Sequence, residues 1–209
     1  MTDALPTVLH NAIGALIARG GRALFGIVGP PGAGKSTLAE RIAAQFPDQT
    51  VVVPMDGFHL ANAELDRLGR RDRKGAPDTF DAAGFVALLD RLRHPLAGET
   101  VYAPRFERAI EEAIAGAIPV PADTPLVLVE GNYLLLDGPW SPVRDLLDRC
   151  CYVRTPPAQR RDWLLARHMA FGRSRAAALA WIDHTDEPNA VRIERSAARA
   201  DFAVDVTSG

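Results

Sequence analysis

The run Gly29-Pro30-Pro31-Gly32-Ala33-Gly34-Lys35-Ser36-Thr37 carries the spacing G-x-x-x-x-G-K-[ST], the pattern of a loop whose backbone N–H groups cradle phosphates. Glycine at 29, 32 and 34 lets the chain curl inward around Ala33, and a Cβ at those three positions would obstruct phosphate oxygens. Lys35 can reach the β- and γ-phosphates as a compact charge, and the Ser36 hydroxyl, followed by Thr37, is the type that ligates Mg²⁺. The expected ligands are therefore a phosphate chain and Mg²⁺. Lysine usage sharpens the point: Lys35 and Lys74 are the only lysines among 24 basic residues. A chain that otherwise uses arginine keeps an ammonium where a planar guanidinium would not fit the same role.

Two carboxylates stand where a reaction could use them. Asp56 follows the β-branched run Thr50-Val51-Val52-Val53; beyond a strand end it could orient an acceptor hydroxyl and take its proton, or simply cap a turn. Glu130 ends Leu126-Val127-Leu128-Val129, and a bare glutamate closing an apolar strand calls for a cation or ordered water beside it, so we take it as a candidate Mg²⁺ contact. The basic segment Gly69 to Asp81, with Arg73 and Lys74, reads as a loop that either closes on an anionic acceptor or is solvated surface. Arg160 and Arg167, seven apart, share a helix face with Trp163 and Leu164; such donors suit a lid over a triphosphate.

The elements that must position these groups follow from periodicity. Apolar residues Leu5, Leu9, Ile13, Leu16 and Ile17 recur at helical spacing before Gly20-Gly21, predicting a covering helix. Ala23–Val28 reads as a buried strand into the glycine loop, and Leu38–Ala44 as the helix after it. Asp81 is placed to cap a helix running to Leu92, and Thr100 to Arg108 reads as extended. Cys150–Val153 gives a fourth strand, Pro156-Pro157 opens a helix broken at Gly172-Arg173-Ser174, and Asp186-Glu187-Pro188 starts a last helix by cap and proline rules. Ala200–Val206 supplies a fifth strand. Strands interleaved with helices predict an α/β fold, a three-layer sandwich about a five-stranded parallel sheet.

Composition bounds the partners. A net charge of −2 over 209 residues with 47% hydrophobic content favours small molecules over nucleic acid or anionic membrane. Two adjacent cysteines, poorly placed to bridge each other, suit a reducing compartment. With Asp3 and no basic cluster at the start, and no membrane-length apolar run, the expectation is a cytoplasmic protein. The scattered histidines include no H-E-x-x-H, and there is no C-x-x-C or serine elbow, which leaves hydrolase chemistry without a motif.

Taken in order, the glycine loop, Pro54-Met55-Asp56-Gly57-Phe58-His59, Lys74-Gly75-Ala76-Pro77-Asp78-Thr79-Phe80-Asp81 and Val129-Glu130-Gly131-Asn132-Tyr133 resemble the P-loop kinases that include uridine kinase, bacterial pantothenate kinase and phosphoribulokinase. The likeness extends to small bacterial nucleoside kinase-like, fructose-transport-associated kinases. It implies one P-loop NTPase domain over residues 1–209, with an acceptor-side loop and helix at 57–81 and a small helical lid at 156–175. It further implies Asp56 as base, Glu130 at Mg²⁺, a phosphoryl-stabilising arginine at Arg160, Arg167 or Arg173, and Tyr102 and Arg108 lining the acceptor pocket with His59 and Lys74. The function so implied is ATP- and Mg²⁺-dependent phosphoryl transfer to a hydroxyl of a nucleoside, pantothenate-like or sugar acceptor. A nucleoside monophosphate kinase and a non-catalytic ATP-binding regulator of a transport system are the alternatives, and a homodimer is left open.

Overall fold

The computed structural model describes residues 4–206; residues 1–3 and 207–209, Asp3 among them, lie outside the described residues. In chain order the elements are α1 (Thr7–Ala18), β1 (Ala23–Val28), α2 (Lys35–Gln45), β2 (Thr50–Pro54), α3 (Asn62–Arg67), α4 (Ala82–Arg93), β3 (Thr100–Glu107), β4 (Glu112–Pro121), β5 (Leu126–Gly131), α5 (Ser141–Leu146), β6 (Arg149–Arg154), α6 (Pro157–Ala170), α7 (Arg175–Trp181), α8 (Glu187–Glu194) and β7 (Phe202–Asp205). Five strands form a parallel sheet in the order β2-β5-β1-β6-β7.

All six residues of β1 and of β5 are buried, as continuous apolar runs demand when helices cover both faces of a sheet. Alternation then sorts side chains into two cores. Phe25, Ile27, Leu126 and Leu128 pack with Leu9 and Ile13 of α1 and Leu38 and Ile42 of α2. Leu24, Val28, Val127 and Val129 pack on the other face with Phe85 and Leu89 of α4 and with Tyr133 and Trp140. Cys150 belongs to the second core and Cys151 to the first, so the adjacent thiols point to opposite faces and are free. Among the described residues no helix is long and apolar enough to cross a membrane.

Two elements depart from the sequence reading. The extended Thr100 to Arg108 segment is half of an antiparallel hairpin, β3 with β4, outside the main sheet. Gly116, Pro119 and Pro121 in β4 remove the signals by which a strand is recognised. The second departure lies at the predicted cap. Asp186 holds helical dihedrals and makes no side-chain cap, because a π-helical turn, Ile182–Asp186, joins α7 to α8 without a break. Asp81 does cap α4, accepting from the Gly84 N–H at 2.8 Å.

Candidate active site

Because the sheet is parallel, β1, β2 and β5 end at one edge, the edge where such sheets place their ligands. The register sets Glu130 opposite both Ile27 and Pro54. The glycine loop, the turn carrying Asp56 and the tip carrying Glu130 therefore meet at one level.

The loop is shaped by close packing. Gly32 has φ +77° and Gly34, preceding the first turn of α2, φ +85°; L side chains rarely adopt this region. A Cβ on Gly32 would meet Leu164 Cγ at 2.6 Å and the Arg160 carbonyl oxygen at 2.9 Å. Helix α6 thus lies directly over the loop. Arg160 is 2% exposed; it donates to the Pro31 carbonyl at 3.3 Å and to Glu187 Oε2 at 2.7 Å. This corrects the lid reading for Arg160: it ties the glycine loop to α8 and is not among the residues lining the cavity. Replacing it by methionine, which keeps the alkyl stem but strands Glu187 and the carbonyl, should cost about 2 kcal/mol or more. Urea unfolding checks this, and an unchanged midpoint would mean the tie is dispensable.

A cavity of about 470 Å³ opens beside the loop, lined at one end by Pro31, Lys35, Ser36, Glu130 and Asn132. Lys35 Nζ donates to the Pro30 carbonyl at 3.1 Å and to Asn132 Oδ1 at 2.7 Å. Burial brings its pKa down to about 8, against the pull of Glu130 and Asp56. Ser36 Oγ donates to Glu130 Oε1 at 3.1 Å. Burial raises the Glu130 pKa, and Lys35 only partly opposes this. Of the other loop residues expected at the nucleotide, Gly29 and Ala33 are buried in the loop wall, while Thr37 is exposed on the first turn of α2 and does not line the cavity. The donor set fits Mg²⁺, a hard cation held by one or two protein oxygens plus substrate phosphates. Among the described residues no group of three or more His, Cys, Asp or Glu could hold a metal by itself.

The other end is lined by Asp56, His59, Asn62, Lys74, Phe106 and Arg108. Arg108 donates to Asp56 Oδ2 at 3.1 Å. Burial would raise the Asp56 pKa, but His59, Arg108, Lys35 and Arg167 together hold it below the usual carboxylate value. His59 donates its Nδ1–H to the Asp56 carbonyl oxygen at 2.7 Å and packs between the Phe80 and Phe106 rings. Burial lowers its pKa, which favours the neutral ring with Nδ1–H directed at that carbonyl. Gly57 is required beside it, since a Cβ there would run into the Pro104 carbonyl of β3. Lys74 Nζ donates to Asn62 Oδ1 at 2.6 Å and to the Glu111 carbonyl, and stands 4.9 Å from the Phe106 ring centre. Arg73, its neighbour, is instead paired with Asp78 at 2.6 Å. Tyr102 is not brought to the site: it is 58% exposed, while Val101 and Ala103 on either side are fully buried. The period of two along β3 turns it outward, a correction to its placement in the acceptor pocket.

Arg167, His168 and Arg173 line the cavity from the α6 side. The Arg167 side chain is half-buried and, among the described residues, makes no hydrogen bond or ion pair; burial and Arg108 lower its pKa against Asp186, Asp56 and Glu130. Arg173 stacks 3.9 Å from the Trp181 ring centre. Sequence reasoning missed His168, whose Nε2 lies 2.8 Å from Asp186 Oδ2, and also Asn132 and Asn189. Asn132 stood within the run Val129 to Tyr133 and could have been found two residues beyond Glu130. Asp186 and Asn189 could not, because the π-helical turn displaces them by a fraction of a turn from helical phase.

A parallel sheet with a glycine loop feeding α2, and with Lys35, Ser36 and Glu130 converging at that loop, defines a P-loop phosphotransferase. The profile of the Phosphoribulokinase / Uridine kinase family matches residues 24–208, and the chain belongs to that family. A Schizosaccharomyces pombe protein provisionally named a uridine kinase is 33% identical over 208 residues, covering 94% of this chain and 88% of its own length. The pantothenate kinase of Latilactobacillus sakei is 30% identical over 151 residues, 69% of this chain but 48% of that enzyme. The crystal structure of a Silicibacter protein provisionally described as a fructose transport system kinase superposes with a TM-score of 0.82 at 37% identity, covering 92% of this chain and 97% of that one. The protein is a kinase that transfers a phosphoryl group to a small metabolite, and membership of the family implies ATP as donor.

Proposed function

We propose that the acceptor is an alcohol that also carries a carboxylate or phosphate, and that Asp56 presents its hydroxyl to the γ-phosphate of ATP. The observation that carries this reading is the ionised, arginine-paired Asp56 lining the same cavity as Lys35 and Ser36. In the transfer, the acceptor oxygen forms a bond to the γ-phosphorus, the bond to the β–γ bridging oxygen breaks, and the hydroxyl proton passes to Asp56. A carboxylate at that point would repel an acceptor phosphate, which disfavours a monophosphate as the attacking group. Lys35 and the amides of the glycine loop hold the phosphates, and the Arg167 side chain, without an ion-pair partner among the described residues, turns to the transferring group. Mg²⁺, bound at Ser36 and Glu130 with the phosphates, would offset charge developing on the phosphate oxygens. Residues 156–175 would then act as a lid, with Arg173 at its hinge-side break.

The anionic half of the acceptor is argued from charge. Around the Asp56 end stand Arg71, Lys74 and Arg108 against Asp56 and Glu111, a surplus of one cation among these lining residues, with Arg71 also 3.9 Å from Asp66. Relatives carry names with different acceptors, so family membership does not choose among them. An ATP-consumption screen of hydroxy acids, sugar phosphates and neutral nucleosides should give turnover with the anionic alcohols; turnover with neutral nucleosides alone would overturn this half. Lys74→Ala should raise the acceptor KM by about tenfold with kcat little changed, the loss of one charge-assisted hydrogen bond. An unaltered KM in steady-state kinetics would reduce Lys74 to a tie between Asn62 and Glu111.

A further inference from the structure

A second cavity, of about 590 Å³, shares one wall with the first. Its floor is aromatic and apolar: Trp140, 2% exposed, Phe80, 6% exposed, and Leu136. Its rim carries Arg192, Arg195 and Arg199, spaced three and four residues apart along α8 and the turn that follows it. Like charges at these spacings on one face repel each other. Of these three, Arg199 is neutralised by Asp137 at 2.8 Å, and the further lining arginine Arg70 pairs with the lining Asp78 at 3.6 Å. The Arg192 and Arg195 side chains are exposed and, among the described residues, make no hydrogen bond or ion pair. An apolar floor beneath unneutralised guanidinium groups suits a ligand with a flat apolar body and an anionic end, since arginine pairs bidentately with carboxylate or phosphate and stacks on rings.

The shared wall links this cavity to catalysis. Phe80 lines both cavities. It meets Trp140 edge-on at 5.9 Å and Tyr133 at 5.5 Å, and it also packs, tilted, against His59 at 4.0 Å. Tyr133 donates its hydroxyl proton to the Gly75 carbonyl, next to Lys74. A body inserted against Trp140 and Phe80 therefore presses on the two groups, His59 and the Lys74-Gly75 turn, that bound the acceptor end of the active cavity.

We propose that this second cavity is an effector site for an amphipathic anion, an aromatic body ending in a carboxylate or phosphate, and that its occupancy changes the affinity for acceptor rather than for ATP. By linkage the acceptor must alter effector binding by the same factor. The binding half stands independently of the proposed acceptor chemistry, and it is tested first, by calorimetric titration of 2-naphthoate and 2-naphthyl phosphate into the full chain with and without a non-hydrolysable ATP analogue. Expected are saturable single-site binding that the analogue leaves in place, a loss of about fivefold or more in affinity in the double variant Arg192→Gln/Arg195→Gln, and a comparable loss for the neutral 2-naphthalenemethanol. Both replaced arginines are exposed and unpaired, so the variant should keep the wild-type melting temperature. No saturable binding, competition by the analogue, or equal affinity in the double variant would each overturn the site. Whichever of the two anions binds more tightly assigns the headgroup. At saturating probe the acceptor KM should change by about threefold or more while the ATP KM stays fixed; an unchanged acceptor KM with binding intact would overturn the coupling and leave the site.

Discussion

Lys35→Ala should lower kcat/KM by about 10³-fold or more, the scale on which removing a cation from a transferring phosphoryl group is felt. The expectation rests on where the ammonium sits. Lys35 is 9% exposed, held by the Pro30 carbonyl and Asn132, and burial already brings its pKa down to about 8. Phosphate oxygens arriving in the loop favour the charged form, so the pKa rises on ATP binding. The sign follows by linkage: affinity for ATP is level below the free-state pKa and falls as pH climbs above about 8, by up to about tenfold per pH unit until the bound-state pKa is reached. Titrating ATP at several pH values reads this directly, and a flat profile through pH 9 would remove Lys35 from the phosphates. The stability consequence runs the other way. A lysine whose folded pKa is depressed opposes folding below that value, so Lys35→Ala should leave the melting temperature at pH 7 unchanged or raised. Loss of activity together with a large loss of stability would instead point to a structural lysine. Lys35→Arg should not restore turnover, because a guanidinium cannot occupy the point-charge position between Pro30 and Asn132.

What the sequence disclosed and what it withheld divide along physical lines. Strands buried on both faces announce themselves as unbroken apolar runs, and β1, β5 and β6 were legible for that reason. The glycine loop was legible because its spacing is dictated by the phosphates it wraps. The hairpin half β4 was not, since a strand outside the main sheet, half exposed and holding two prolines, obeys neither alternation nor burial. Arg160 and Arg167 share a face of α6 as their spacing requires, yet one is locked against the loop and the other is left free at the cavity. Periodicity gives the face of a helix but not the partner that each side chain finds. Tyr102 failed for a related reason: a short extended stretch fixes which residues alternate, while only the packing of β3 against the sheet fixes which set faces inward.

Asp56→Asn is the sharper test of the chemistry, because it removes charge and basicity while preserving shape. An asparagine Oδ1 can still accept from Arg108 at the 3.1 Å separation seen for Asp56, so the turn from Met55 to Phe58 should survive. With the surrounding cations holding Asp56 below the usual carboxylate pKa, it is ionised throughout the neutral range and available as a proton acceptor. An amide cannot take the proton, and kcat should fall by about 10²- to 10⁴-fold. The Kd for ATP should stay near wild type, since the loop, Lys35 and Ser36 are untouched, or tighten slightly as a negative charge leaves the cavity. The pH profile separates this role from a structural one. A base whose pKa lies below the carboxylate range gives turnover that is flat through neutrality and declines only in acid; the asparagine variant should lose that acid limb along with its rate. Should kcat remain within about twofold of wild type, the hydroxyl would have to be activated elsewhere, and the neighbouring Glu130, whose pKa burial raises, would be the remaining carboxylate in the cavity's phosphate end to bear the proton.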